Sequence, residues 1–470
     1  MKKETSNTDT AGKWYDKFVN KPAGRKSTRH TQKKTAEQIK PAAEKHKTAD
    51  TAGIRNEPRA EKHHSFSSER SGRSRTVYGP VQMFSARSVP ADAQDILKNF
   101  DIVVQGVKPL NSRQLAKLPS DIRSLSHELT DERPDRRVGY MNETVRLSAY
   151  VRYFEWWNLE RLVRLFSNLP AADFLLADND VCLDIGSGPL TVPIALWLAH
   201  PELRTKKLVW YCLDISQTAL SFGEELYLAI AAKTLAGKAD TEPWEIVRVK
   251  GELGTPVHQK AAFITCANVF NELFQRADMP PDYLAKKYSE SLLAYSAEKC
   301  SILTVEPGVP RSARLLSLIR DALLRKNHTM LAPCPHAAEC PMAGRTGNDR
   351  SGKWCNFAFD TGDAPARLLK LSADAGIPKE RAVLSFIFTA NGVSDKKQNP
   401  LDISLRIASD LIRLPNHRDG FYACSDLGLV LVIPVSGKHL ESGDCITVQR
   451  PARPEELPRD AKTGAAEIEI

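Results

Sequence analysis

No stretch of about 18 consecutive apolar residues, the length a helix needs to cross a bilayer, occurs in this 470-residue chain. A short apolar core behind a basic N-terminus, the mark of a secretory leader, is also missing. The expectation is a soluble, intracellular protein with no membrane contact. None of the nine cysteines forms a Cys-x-x-Cys knuckle, the usual signature of structural zinc. In a reducing compartment these cysteines divide into core thiols and a metal site rather than disulfides.

Charge is unevenly spread. Residues 1–80 carry 19 Lys and Arg against 9 Asp and Glu, whereas the rest carries 47 basic against 48 acidic residues. The segment is poor in aliphatics and cannot bury enough apolar surface to offset its ordering entropy, so 1–80 reads as a disordered basic tail. Such an arm neutralises phosphates of a nucleic acid; the bland reading is a solvated tail without a partner. Its nine acids argue against a mitochondrial targeting segment, which is poor in them. A bacterial cytoplasm is the expected location, with the mitochondrial matrix as the alternative.

Residues 81–170 carry helical periodicity. In "LPSDIRSLSHEL", Ser120 offers an N-cap with Ile122, Leu125 and Leu129 on one face. In "ETVRLSAYVRYFEWWNLERLVRLFSNL", Leu147, Tyr150, Val151, Phe154, Leu162, Leu165 and Phe166 recur at helical spacing and read as core. From 171 to 330 strands and helices alternate: "DVCLDIG", "KLVWYCLD", "WEIVRV", "AAFITCANV" and "CSILTVEPG" are strands, and the pattern predicts a doubly wound parallel sheet. About ten residues link the third and fourth strands, so a short turn must replace the crossover helix there. A cysteine-rich insertion covers 331–365, a β-rich part 366–448, and a flexible tail 449–470. "AVLSFIFTA" and "GFYACSDLGLVLVIPV" are expected to form a small closing sheet.

Asp184-Ile185-Gly186-Ser187-Gly188-Pro189 leaves the first strand and enters a helix, where glycine admits a close ligand and the helix start favours an anion. Asp214 ends the second strand, where an acid can accept both ribose hydroxyls. A dinucleotide site would want a third glycine, and Leu190 and Thr191 stand there instead; the pattern resembles an S-adenosylmethionine-dependent methyltransferase. Asn268, Asn271 and Glu272 lie at the open end of the fourth strand and are candidates for cofactor or acceptor contacts; the bland role of Asn271 and Glu272 is to cap the next helix. No Asn-Pro-Pro-Tyr box occurs, and no catalytic residue can be named. Cys266, in a buried strand, reads as inert, as do Cys182, Cys212 and Cys300.

Cys334, Cys340 and Cys355 lie in a Pro- and Gly-rich loop with spacings of five and fourteen residues, and the next cysteine is Cys424. Four thiolates from a long loop and a distant strand suit a [4Fe–4S] cluster. Zinc held by three cysteines and His336 is the rival, and Cys445 is a weaker fourth ligand.

The segments "SLSHELTDER", "LDIGSGPLT", "NVFNEL", "VEPGVP", "APCPHAAECP", "KWCNF" and "YACSDLG" occur in an order that resembles the methyltransferase-like family of mitochondrial small-ribosomal-subunit assembly proteins and its bacterial relatives. The resemblance covers about residues 110–435. It implies a class I, Rossmann-like methyltransferase fold with an N-terminal helical region. It also implies S-adenosylmethionine binding and an iron–sulfur cluster on Cys334, Cys340, Cys355 and Cys424. The partner would be the small ribosomal subunit and its RNA. Two departures stand out: Leu190 replaces a frequent further glycine, which would crowd the cofactor's methionine end, and "YVRYFEWWNLERL" replaces a smaller, Pro-containing segment. Two functions follow from the family, an RNA methyltransferase or a non-catalytic assembly factor on a methyltransferase scaffold.

Overall fold

The computed structural model describes residues 76–130, 139–236, 241–276, 279–344, 352–393, 399–435 and 439–470. Apart from its last five residues, the basic arm expected over 1–80 lies outside the described residues.

The first described element is a strand, β1 (Thr76–Val81), ahead of the helical region. The helix Ser112–Thr130 starts eight residues before the expected cap at Ser120, which is exposed in its middle. Its start is set by a reciprocal pair: Gln114 N–H donates to Asn111 Oδ1 (3.0 Å) and Asn111 N–H to Gln114 Oε1 (2.9 Å). The long helical stretch runs as Thr144–Ala149, a π-helical segment Tyr150–Glu155, and Trp156–Ser167. Such π segments are rare and concentrate at functional sites.

The core is a mixed sheet. β2 (Val181–Ile185), β3 (Val209–Asp214), β4 (Glu245–Lys250), β5 (Ala261–Ala267) and β6 (Ser296–Glu306) run parallel in the order β4-β3-β2-β5-β6. Alternate residues serve opposite faces. Cys182, Trp210, Cys212 and Phe263 pack with the helices Trp156–Ser167, Thr191–Ala199 and Gln217–Thr234. Leu183, Leu213 and Ile264 pack with Pro281–Tyr295 and Pro310–Leu324. Helices on both faces of a parallel sheet make a doubly wound, Rossmann-like fold. Between β4 and β5 the chain crosses two strands without a helix, through residues 251–260.

The sheet extends past residue 330. β7 (Thr329–Ala332) and β8 (Phe357–Asp360) both pair antiparallel with β9 (Arg381–Ala390), which itself pairs antiparallel with β6. β9 is the "AVLSFIFTA" segment, expected in the closing sheet. It belongs to the main sheet because it is apolar on both faces: Phe386 and Phe388 enter one core and Ile387 the other. The cysteine-bearing loop hangs between β7 and β8.

The closing sheet contains β10 (Asp402–Ile407), β11 (Ile412–Arg413), β12 (Asp419–Ser425), β13 (Gly428–Ile433), β14 (Cys445–Gln449) and β15 (Ala466–Glu469). Its order is β1-β14-β10-β12-β13-β15, with β11 on β12. Residues 449–470, expected to be a flexible tail, return as β15 beside β13, anchored by buried Ile468 and Ile470. Their Pro-rich, charged approach masks that apolar end.

Candidate functional site

The turn after β2 is built on left-handed backbone. Gly186 has φ +67° and Gly188 φ +53°, values glycine adopts without strain. A β-carbon on Gly186 would lie 2.1 Å from Val269 Cγ2, so this turn and the end of β5 meet in close contact. Leu190 also takes a left-handed φ of +63° yet is fully buried in the core. It does not line the cleft, so the expected crowding of the cofactor's methionine end does not arise from its side chain. The departure from glycine costs backbone strain of about 1–2 kcal/mol instead.

Two acids brace the turn. Asp184 accepts from Ser187 Oγ and Thr265 Oγ1, both at 2.6 Å, and burial pushes its carboxyl up to about 7. Asp214 accepts from Gly188 N–H (2.9 Å) and Ser216 N–H (2.7 Å). It therefore ties the turn after β2 to the turn after β3, a role its place in the sequence does not foretell. Burial raises its pKa.

At the end of β5, Asn268 adopts φ +60° and donates its N–H to Val305 O at 2.7 Å. The next helix, Phe270–Arg276, is capped from outside. Glu306, at the end of β6, accepts from Phe270 N–H (2.8 Å) and Asn271 N–H (3.1 Å). The capping role open to Asn271 and Glu272 therefore falls to Glu306, whose carboxyl burial raises to about 8.

All eight residues singled out from the sequence, Asp184, Gly186, Ser187, Gly188, Asp214, Asn268, Asn271 and Glu272, line one cleft of about 310 Å³. It opens at the carboxyl ends of β2, β3 and β5, where the strand order reverses and ligands of such sheets bind. The helical wall was missed. Tyr150, Phe154, Asn158 and Arg161 also line the cleft. Tyr150 and Phe154 stack (5.8 Å between centroids, 26°) and are half-buried rather than core, whereas Leu147, Val151, Leu162, Leu165 and Phe166 are buried as expected. The signal was present: 150, 154, 158 and 161 share one helical face that turns polar at Asn158.

The four cysteines come into electrostatic reach of one another. Burial and then Cys340, Cys334 and Cys424 raise the Cys355 thiol, and burial and then Cys334 and Cys340 raise that of Cys424. Burial pushes Cys340 up to about 12, with Cys334 adding to the shift. Among the described residues no group of three or more His, Cys, Asp and Glu stands arranged as a metal site. Two buried arginines hold the loop: Arg320 Nη2 donates to His336 O (2.9 Å) and Ala338 O (2.8 Å), and Arg406 Nε to Pro333 O (2.8 Å). Arg406 faces Cys424 across one strand pair and Cys445 across the other. Both ring nitrogens of His336 are buried, with no hydrogen-bond partner among the described residues. Cys182, Cys212 and Cys266 are buried, and burial holds their thiols well above the usual range.

Among solved structures the chain is similar to a methyltransferase from Pyrococcus furiosus, at 11% identity and TM-score 0.25 over 46% of this chain and 78% of that one. It is also similar to S-adenosylmethionine-dependent methyltransferases in complex with S-adenosyl-L-homocysteine. The one from Geobacter sulfurreducens shows 11% identity and TM-score 0.27 over 49% of this chain and 89% of that one. The one from Thiobacillus denitrificans shows 15% identity and TM-score 0.26 over 50% and 89%. The fold assignment rests on the strand order and not on these distant overlaps. No curated protein matches the chain. The model of the family described as mitochondrial small ribosomal subunit Rsm22 matches residues 177–418, spanning the glycine turn, the end of β5 and three of the four cysteines, and this chain belongs to that family.

Proposed function

We propose that the cleft binds S-adenosylmethionine and that the protein acts as a methyltransferase on small-subunit ribosomal RNA during ribosome assembly. The observation that carries this reading is the convergence of eight residues from separate segments on one cleft at the switch point of the sheet. A bound S-adenosylmethionine supplies an electrophilic methyl group. Asp214 and the glycine turn would hold its nucleoside, and Asn268, Asn271 and Glu272 would face the methyl and its acceptor. The stacked Tyr150 and Phe154 offer a wall for an unstacked base. The basic N-terminal segment would add contacts to RNA phosphates. The proposed location is the bacterial cytoplasm, with the mitochondrial matrix as the alternative; no helix among the described residues is long and apolar enough to cross a membrane.

The second reading, a non-catalytic assembly factor, draws on one feature. In Asn268-Val269-Phe270-Asn271 the aromatic side chain is turned away from the cleft, fully buried and stacked on Tyr288 at 4.9 Å. Comparing ribosomal RNA methylation in a deletion strain with wild type separates the two: a lost methyl group supports the enzyme, and unchanged modification with defective subunits supports the factor.

Cys334, Cys340, Cys355 and Cys424 are the proposed ligands of a [4Fe–4S] cluster, with zinc as the alternative metal. The donor set fits. A centre held by four thiolates is anionic overall, and the buried guanidiniums of Arg320 and Arg406 supply compensating charge. Iron and zinc content of anaerobically purified protein decides between the metals.

A further inference from the structure

Arg161 is the one cation among the described residues that line the cleft, whose other charged walls are Asp184, Asp214, Glu252 and Glu272. Its guanidinium donates to Val383 O at 3.1 Å and to Asn158 Oδ1, both neutral acceptors. Glu306 shares a small recess with it, but both Glu306 oxygens accept from the backbone N–H groups of Phe270 and Asn271. A second cation, Lys379, lies close enough to Arg161 to be repelled by it. A half-buried guanidinium with neutral partners and a like charge nearby leaves an anion to be supplied from outside.

Position says which anion. Asp214, Ile215, Ser216 and the 251–253 turn form the end of the cleft at β3 and β4, and Arg161, Asn158 and Asn268 form the opposite end, beside β5 and β6. A ligand with its nucleoside at the first end and its chain across the glycine turn brings the far end of that chain to Arg161. Resting on the cofactor reading above, we infer that Arg161 receives the carboxylate of the ligand's amino-acid end. The residue thereby sets specificity for an amino-acid-bearing nucleoside over a bare thionucleoside. The planar fork of the guanidinium suits a carboxylate, and Asn158 and the Val383 carbonyl hold it in orientation.

The test truncates ligand and protein together. The full chain, wild type and Arg161→Gln and Arg161→Lys variants, is titrated calorimetrically with S-adenosyl-L-homocysteine and with methylthioadenosine, which keeps the nucleoside and thioether but lacks the amino acid. Arg161→Gln should weaken the first ligand roughly ten- to a hundredfold and leave methylthioadenosine within about twofold, with Arg161→Lys intermediate. Equal losses for both ligands would mean a merely structural role and overturn the inference. Unchanged homocysteine-ligand affinity with weaker binding of a ribosomal RNA fragment would give the site to a phosphate and overturn it too. Wild type binding both ligands, with Arg161→Gln identical to it, refutes the assignment and leaves the cofactor reading intact. Wild type binding neither refutes the cofactor reading itself.

Discussion

Asp214→Asn separates a residue that merely touches a ligand from one that also builds the site. The carboxylate accepts Gly188 N–H on one oxygen and Ser216 N–H on the other, in a position only 6% exposed. Asparagine keeps the shape but has a single acceptor oxygen, so whichever way the amide turns, one of the two N–H groups faces another donor. A hydrogen bond to a charged acceptor contributes about 1.5–3 kcal/mol, and an unsatisfied buried donor costs about 1–3 kcal/mol. Burial already disfavours the charge, and its removal returns part of that loss. The net expectation is a ligand-free protein destabilised by about 1–3 kcal/mol. S-adenosylmethionine affinity should fall roughly ten- to a hundredfold as the turn loosens. Urea unfolding of the ligand-free protein measures the first effect and calorimetry the second. If Asp214 acted only on ribose hydroxyls, the variant would lose affinity with unchanged ligand-free stability, and that result would refute the bracing role.

Asp184 has a folded pKa near 7 set mainly by burial, above its unfolded value, so its contribution to stability is full below about pH 4 and is lost as pH rises through about 7. The stability of Asp184→Asn relative to wild type should therefore rise between about pH 4 and pH 7 and level off above, which urea midpoints at several pH values will show; a constant difference would contradict it. Each Cys→Ser change at 334, 340, 355 or 424 should lower the iron content of anaerobically purified protein, expected at about four irons per chain with broad absorption near roughly 400 nm. One zinc and no iron in the wild type would move the site to zinc. Arg406→Met should lower metal content with all four ligands intact, because Arg406 ties Pro333 O to β10; unchanged metal would show that bond to be incidental. Deleting residues 1–75 should weaken ribosomal RNA binding and flatten the plot of log affinity against log salt, by about 0.7–0.9 for each phosphate that the arm had neutralised.

The doubly wound sheet was legible because its strands are continuous apolar runs ending at a glycine turn, an acid and a polar cluster. Periodicity alone did not assign β9 to the main sheet, since an apolar strand reads the same in either sheet until its partners are known. β15 escaped notice because Ile468 and the Ile470 that follows it come after a charged, Pro-rich approach. The eight cleft residues were readable from their places at strand ends. Tyr150, Phe154 and Arg161 share a face that turns polar at Asn158, but that cue alone is weak, because a helical stripe has the same spacing whether it faces a core or a cavity. The roles of Asp214 and Glu306 as acceptors for backbone N–H groups depend on tertiary approach and leave no local pattern.

Equilibrium dialysis of the full chain against S-adenosylmethionine, with Gly186→Ala as its pair, tests the central claim most directly. A β-carbon at residue 186 would press on Val269 at 2.1 Å, with the backbone held at φ +67°. The wild-type chain should retain one ligand and the variant little or none, both folded by circular dichroism. A folded wild type that retains no S-adenosylmethionine would contradict the claim.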